Sequence, residues 1–154
     1  VRAAPPTRSG VSIPTAAQQP AIDCLALKCP VVDFAEEFCL EFGPDEMARW
    51  QATDTIPNLT GGAGRIRLEY TMYEDCRQQI GYGPAAHITS PTLIVQGECD
   101  ELVPLHQSRR LLEVLRGPKR LDLLPGADHQ FTRGEDFRTM TTAITEWLTK
   151  HLGA

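Results

Sequence analysis

The sequence has 154 residues, of which 42% are hydrophobic and 23% charged, and its formal net charge is −5 at pH 7. That length suits one domain, and a mildly acidic chain with no basic stripe is a poor partner for nucleic acid. No apolar run approaches the roughly 20 residues a membrane-spanning helix needs. Five cysteines, odd in number and without C-x-x-C spacing, indicate neither a disulfide framework nor a zinc site. A cytoplasmic location is the default expectation. Val1 to Gly10 lacks an initiator methionine, an apolar signal core and a strand pattern, so the chain is expected to begin inside a longer polypeptide.

In chain order, Gly10 to Gln19 reads as a short helix that Pro14 interrupts or starts and Pro20 ends. Ile22 to Cys29 reads as a strand, left through Pro30–Phe34. The next sheet strand begins at Thr92, and the roughly 55 residues between are too many for a bare connection. They carry their own pattern: helices over Ala35–Phe42, Pro44–Ala52 and Tyr70–Gln79, a turn at Thr60–Gly64, and a brief strand or extended piece at Ile66–Tyr70.

The most informative stretch runs from Pro91 to Phe131. Thr92 to Val95 is apolar and β-branched without alternation, which suits a strand buried on both faces of a parallel sheet. Gly97 ends it, and Glu98, Asp100 and Glu101 lie in the loop beyond its carboxyl end. Pro104 is expected at the first helical position; Leu105, Ser108, Leu111, Leu112 and Leu115 recur at helical spacing with Arg109, Arg110 and Glu113 opposite, until Gly117-Pro118. Lys119–Leu124 gives another strand, and Pro125-Gly-Ala-Asp-His129 is again a loop past a strand's carboxyl end. Such strand ends are where open α/β sheets build their sites, so Asp100 and His129 are expected to meet. A buried carboxylate fixes the tautomer of a histidine and stabilises the imidazolium formed when it takes a proton from a nucleophile. The chain closes with an amphipathic helix, Glu135 to Leu152, whose apolar positions are Phe137, Met140, Thr141, Ile144, Trp147, Leu148 and Leu152.

Gly97-Glu-Cys-Asp100-Glu-Leu-Val103-Pro104 and Gly126-Ala-Asp-His129 resemble the closing G-x-x-D-x-x-V-P and G-x-x-H loops of the α/β-hydrolase superfamily, in its dienelactone-hydrolase-like or prolyl-oligopeptidase-like branch. Cys29-Pro-Val-Val-Asp33-Phe34 resembles the S-P-V-x-D-F that leaves an earlier strand there, with Cys29 in the place of serine. The resemblance implies the carboxyl-terminal part of an α/β-hydrolase fold: three parallel strands with flanking helices, one partial domain over 1–154, and residues 35–87 as a small helical cap shaping the substrate pocket. It implies Asp100 as the triad acid, His129 as the general base, no metal or organic cofactor, and a small-molecule ester, lactone or peptide substrate attacked by a serine upstream of both.

That serine is not recognisable, because no G-x-S-x-G elbow occurs. The elbow would fall on Pro5-Pro-Thr7-Arg-Ser9-Gly10, where two prolines and an arginine suit a tight turn badly. Ser9 and Ser12 read as caps or solvent-facing residues. Cys99 could approach His129 but reads as a small residue beside a buried turn; Asp128 reads as a solvent-facing or loop-capping acid, and His87 and His106 as surface histidines. Asn58-Leu-Thr60 matches a glycosylation acceptor, discounted without a secretory signal. Two readings therefore compete. One is a serine hydrolase whose nucleophile lies outside this stretch; the other is an inactive paralogue acting as a binding module or remnant. Three strands leave an uncovered sheet edge, through which a second copy or a missing upstream half could pair.

Overall fold

A computed structural model describes residues 8–19, 21–59 and 63–153, with only the backbone at 8–12. The elements are α1 (Arg8–Gln18), β1 (Leu25–Lys28), α2 (Phe34–Thr53), β2 (Thr55–Pro57), β3 (Arg65–Arg67), α3 (Thr71–Gln78), α4 (Tyr82–Ala85), β4 (Thr92–Gly97), α5 (Leu105–Val114), β5 (Lys119–Leu124) and α6 (Gly134–Leu152). The chain divides into two compact units, one over residues 33–80 and the other formed by the segments before and after it.

The second unit is built on a parallel sheet in the order β1-β4-β5. β4 is central, and all six of its residues are buried, because helices cover both of its faces. Alternate side chains of a strand point to opposite faces: Ile94 joins Ile13, Leu27, Tyr82, Ile88, Leu111 and Leu115, whereas Leu93 and Val95 join Leu124, Phe131, Met140 and Trp147. Fully burying a side chain such as Leu93 or Ile94 stabilises the fold by roughly 1.5–3 kcal/mol. The register sets Leu25 opposite Thr92 and Gly97 opposite Leu124, so the carboxyl ends of β4 and β5 finish side by side. β1 is shorter than the sequence suggests, since Ile22 N–H turns back to Gln19 O (3.2 Å) and pairing starts only where Leu25 N–H donates to Pro91 O (2.8 Å). α4 is one short turn without a periodic signal, and it goes unanticipated.

Two other expectations need correction. Pro104 is the residue before α5 rather than its first turn, with an extended ψ of 132°. On α6, Phe137 is 54% exposed and Leu152 55% exposed, so the apolar face is narrower than the sequence suggests. Asp136, buried and paired with Arg133, stands on the covered side of the first turn instead.

In the unit over 33–80, Asp33 caps α2 by accepting from Glu36 N–H (3.0 Å). The helix breaks at Gly43, whose φ of 69° only glycine adopts readily, and resumes at Pro44, as two successive helices were expected to do. Trp50 is fully buried, donates to Leu68 O (2.7 Å), and meets Phe38, Phe42 and Tyr70 edge to face. β2 and β3 form a three-residue antiparallel pair; the brief strand or extended piece expected at Ile66–Tyr70 overlaps β3 only at Ile66 and Arg67, and β2 is too short to show a period of two. The turn expected at Thr60–Gly64 lies mostly outside the described residues.

Candidate active site

The loop after β4 is folded around its own acid. Asp100 Oδ1 accepts from the backbone N–H of Leu102 (3.1 Å) and of Val103 (2.9 Å), an arrangement that short carboxylates favour. Oδ2 accepts from Gln96 Nε2 (3.2 Å), which also donates to Val103 O (2.7 Å). Both neighbours are acceptors, so the amide nitrogen of Gln96 must face them. Val103 is fully buried, and this anchors the loop to the core.

The loop after β5 is pinned to the one after β4. Glu98 N–H donates to Leu124 O (3.0 Å) and Cys99 N–H to Ala127 O (2.9 Å). Gly126 turns the chain with a φ of 68°, and Phe131, buried, ends the loop with a φ of 54°. Asp128 accepts from Thr132 N–H (2.9 Å) and from its hydroxyl, so it caps the loop.

These two loops bring the expected pair together. His129 Nδ1 lies 3.0 Å from Asp100 Oδ1 and 3.1 Å from Oδ2, across 29 positions of sequence. The Asp100 side chain is 2% exposed and that of His129 17%, so the acid is enclosed while the imidazole keeps an open side. Nε2 has no hydrogen-bond partner among the described residues. Burial by itself would raise the Asp100 pKa, but the hydrogen bonds from His129, Val103 N–H and Cys29, with the attraction of the imidazolium, outweigh it and hold the carboxyl below its ordinary value. An ionised Asp100 accepting from Nδ1–H leaves Nε2 as a base, the arrangement that proton abstraction requires.

Cys29, and not Cys99, is the cysteine beside the pair. Cys99 is exposed, and a neighbouring position on a turn need not share its neighbour's direction. Cys29 is buried with its Sγ 3.7 Å from His129 O. Burial, then hydrogen bonding to Asp100 and the repulsion of its charge, push the Cys29 thiol up to about 12, so it is no nucleophile near neutrality. Cys29, Asp100 and His129 offer donor atoms within 4.8 Å of one another, a sulfur–oxygen–nitrogen set that zinc accepts. A cation there would have to displace the proton shared by Nδ1 and Asp100. Lys28 donates to His129 O from 2.7 Å, which places an ammonium beside the same set.

Two participants escaped the sequence reading. Gln96 is a fully buried amide directly after the apolar run Leu93–Val95, and that irregularity was its signal. Lys28, on the last residue of β1, carried no local signal at all.

Among the described residues no serine side chain is hydrogen-bonded to His129. Thr7 lies outside the described residues, as do the side chains of Ser9 and Ser12. Ser90 donates to Ile22 O (2.6 Å) before β4, at the sheet end opposite the pair, and Ser108 is fully buried on α5. His87 is exposed on the α4 turn, with Nδ1 3.2 Å from Gly83 O. An open groove of about 490 Å³, bordered by Arg120, Asp122, Arg138 and Glu146, contains neither Asp100 nor His129.

Comparison with known proteins places this geometry. The sequence model of the prolyl oligopeptidase family matches residues 16–154. A monoacylglycerol lipase of Mycolicibacterium smegmatis is 32% identical over 110 residues, 71% of this chain and 38% of the lipase. Est1E from Butyrivibrio proteoclasticus superposes with a TM-score of 0.73 at 18% identity, covering 95% of this chain and 58% of Est1E. The esterase domain of a Rhodothermus marinus protein gives 0.66 at 15% identity, covering 93% of this chain and 57% of that one. The chain thus spans little more than half of these two solved structures and well under half of the lipase.

Proposed function

This chain belongs to the prolyl oligopeptidase family of the α/β-hydrolase superfamily, and we propose that it supplies the acid and the base of a serine hydrolase acting on carboxylic esters. The observation that carries the reading is the Asp100–His129 pair, with an enclosed carboxylate on Nδ1 and an unengaged Nε2. A hydroxyl reaching Nε2 would give up its proton to His129 while its oxygen attacks the ester carbonyl. Asp100 stays ionised and holds the imidazolium, and His129 then returns the proton to the departing alkoxide. Water repeats the sequence on the acyl-enzyme, with backbone amides stabilising each oxyanion. Ester specificity draws on the names of two relatives, an esterase domain and a monoacylglycerol lipase; the family's name draws the substrate range toward peptides. Both use the same acyl-transfer chemistry.

A second reading, binding without turnover, draws on Ser90, which donates to Ile22 O at the opposite sheet end, and on Ser108, which is fully buried on α5. Intact-mass analysis of the folded chain after treatment with a fluorophosphonate, run beside p-nitrophenyl ester hydrolysis, separates the two. A single adduct on a hydroxyl residue, with turnover that falls on the order of a million-fold in His129→Ala, supports the hydrolase reading. A folded chain without label or turnover on its own is also what a nucleophile outside this stretch predicts, so the second reading is supported when restoring the preceding sequence of a longer polypeptide brings back neither.

A further inference from the structure

His129 is held at its backbone as well as at its ring. Its carbonyl oxygen accepts from Lys28 Nζ at 2.7 Å and faces Cys29 Sγ at 3.7 Å. Consecutive residues of a strand normally send their side chains to opposite faces of the sheet, yet these two end on one carbonyl. The backbone accounts for the convergence. β1 stops at Lys28, and Cys29 turns out of it with a φ of 42°, a left-handed conformation uncommon for any residue but glycine. The same turn carries Cys29 N–H onto Val95 O (2.9 Å), which ties it to the central strand.

Lys28 makes a second contact on the same loop. Its Nζ lies 5.3 Å from the centre of the Phe131 ring, within the range of a cation–π attraction, and Phe131 itself sits in a left-handed conformation. One ammonium therefore grips the loop at residue 129 by its carbonyl and at residue 131 by its ring. On either side of them Asp128 and Thr132 close the loop on each other, so displacement of the His129 carbonyl displaces the imidazole.

We propose that Lys28 is a positioning residue of this site: by gripping His129 O from the end of β1, it keeps the imidazole at hydrogen-bonding distance from Asp100. The proposal rests on the reading of Asp100 and His129 as an acid–base pair, and it adds β1 to the two strands whose loops carry them. All three strands of the sheet then contribute to the site, one the acid, one the base and one the clamp. A lysine suits the task because its flexible stem lets the head reach both a carbonyl and a ring face. A neutral aliphatic of similar length would fill the same space without donating.

The test is the solvent exchange of the His129 Nδ1 proton, followed by NMR in the ¹⁵N-labelled full chain, with thermal unfolding recorded for each variant. The wild type must show a protected Nδ1–H; its absence counts against the acid–base pair itself. Given that signal, Lys28→Met is expected to speed its exchange roughly tenfold, the scale of losing one charge-assisted hydrogen bond. Lys28→Arg, which can still donate to His129 O, should restore slow exchange. Should Lys28→Met fail to fold, Lys28→Gln, shorter and uncharged, is read in its place with the same fast exchange expected. A clamp that matters only for stability would lower the melting temperature and leave Nδ1–H exchange in the folded protein unchanged. That result, or an Lys28→Arg variant as fast as Lys28→Met, overturns the proposal.

Discussion

Gly97 and Ala127 meet backbone to backbone where β4 and β5 end. A Cβ on Gly97 would stand 2.7 Å from the carbonyl carbon of Ala127, nearer still to its oxygen, and 2.8 Å from Asp128 O. No side chain can yield there, because each obstacle is main chain. Gly97→Ala should therefore push the two loops apart and destabilise the protein by about 1–3 kcal/mol, with overpacking as the cause. Urea unfolding measures the loss, and an alanine variant as stable as the wild type would show that the approach is not real.

That contact also shows how far the sequence reaches. The glycine three residues before Asp100 and the one three before His129 were legible as loop signals, but their reasons differ: Gly97 makes room for a neighbouring loop, whereas Gly126 takes a left-handed φ of 68°. Three parallel strands with flanking helices were what the resemblance implied, and of the three only Thr92–Val95 carried a β-branched buried-strand signal. Asp100 and His129 were readable because each follows a strand's carboxyl end. Lys28 was not, since what matters about it is the atom it reaches across the sheet, and spacing along the chain holds no trace of that; Gln96 showed only as a polar residue in a buried strand, with no sign of the atoms it holds. Phe137 misled for the opposite reason: it lies at the right helical period, but the covered face of α6 runs through Asp136, Met140 and Trp147, and Phe137 stands beside it.

Gln96 gives the next prediction. Its amide holds Asp100 Oδ2 and Val103 O from inside the core, while its own Oε1 is buried without a partner among the described residues. Gln96→Leu removes the donor to Val103 O and one of the two donors to Asp100 Oδ2, and should cost about 1–3 kcal/mol in chemical denaturation. Gln96→Glu sets a second carboxylate against Asp100 and should be the worse variant near neutral pH, improving as the pH is lowered. Equal stabilities for Leu and Glu at all pH values would contradict this account.

Acid should weaken the fold through Asp100. Its pKa is lower folded than unfolded, so in acid the unfolded chain binds the extra proton, and stability rises with pH across that window. The contribution is complete above the ordinary carboxyl value of about 4 and is lost as the pH falls through the lower, folded value. Urea midpoints measured in acid should fall less steeply for Asp100→Asn than for the wild type. Parallel slopes would remove Asp100 from the explanation.

Alkali acts through Cys29 with the opposite sign. Its thiol is held up to about 12 by burial and by Asp100, whereas in the unfolded chain it ionises near 8.5. Between those values the folded state keeps a proton that the unfolded state has lost, so stability declines as the pH rises. Cys29→Ala should flatten that decline. The same burial predicts that a thiol reagent labels Cys39 and Cys99, both exposed, well before Cys29; peptide mapping after brief alkylation checks the order.

The claim on which the rest depends is that Asp100 fixes which nitrogen of His129 carries the proton. Long-range ¹H–¹⁵N correlation spectra of the labelled chain, recorded where the imidazole is neutral, read the tautomer directly. The account predicts a proton on Nδ1 and a bare Nε2, with the preference lost in Asp100→Asn. A wild-type chain protonated on Nε2 instead would leave no base facing a nucleophile and would contradict the proposed chemistry.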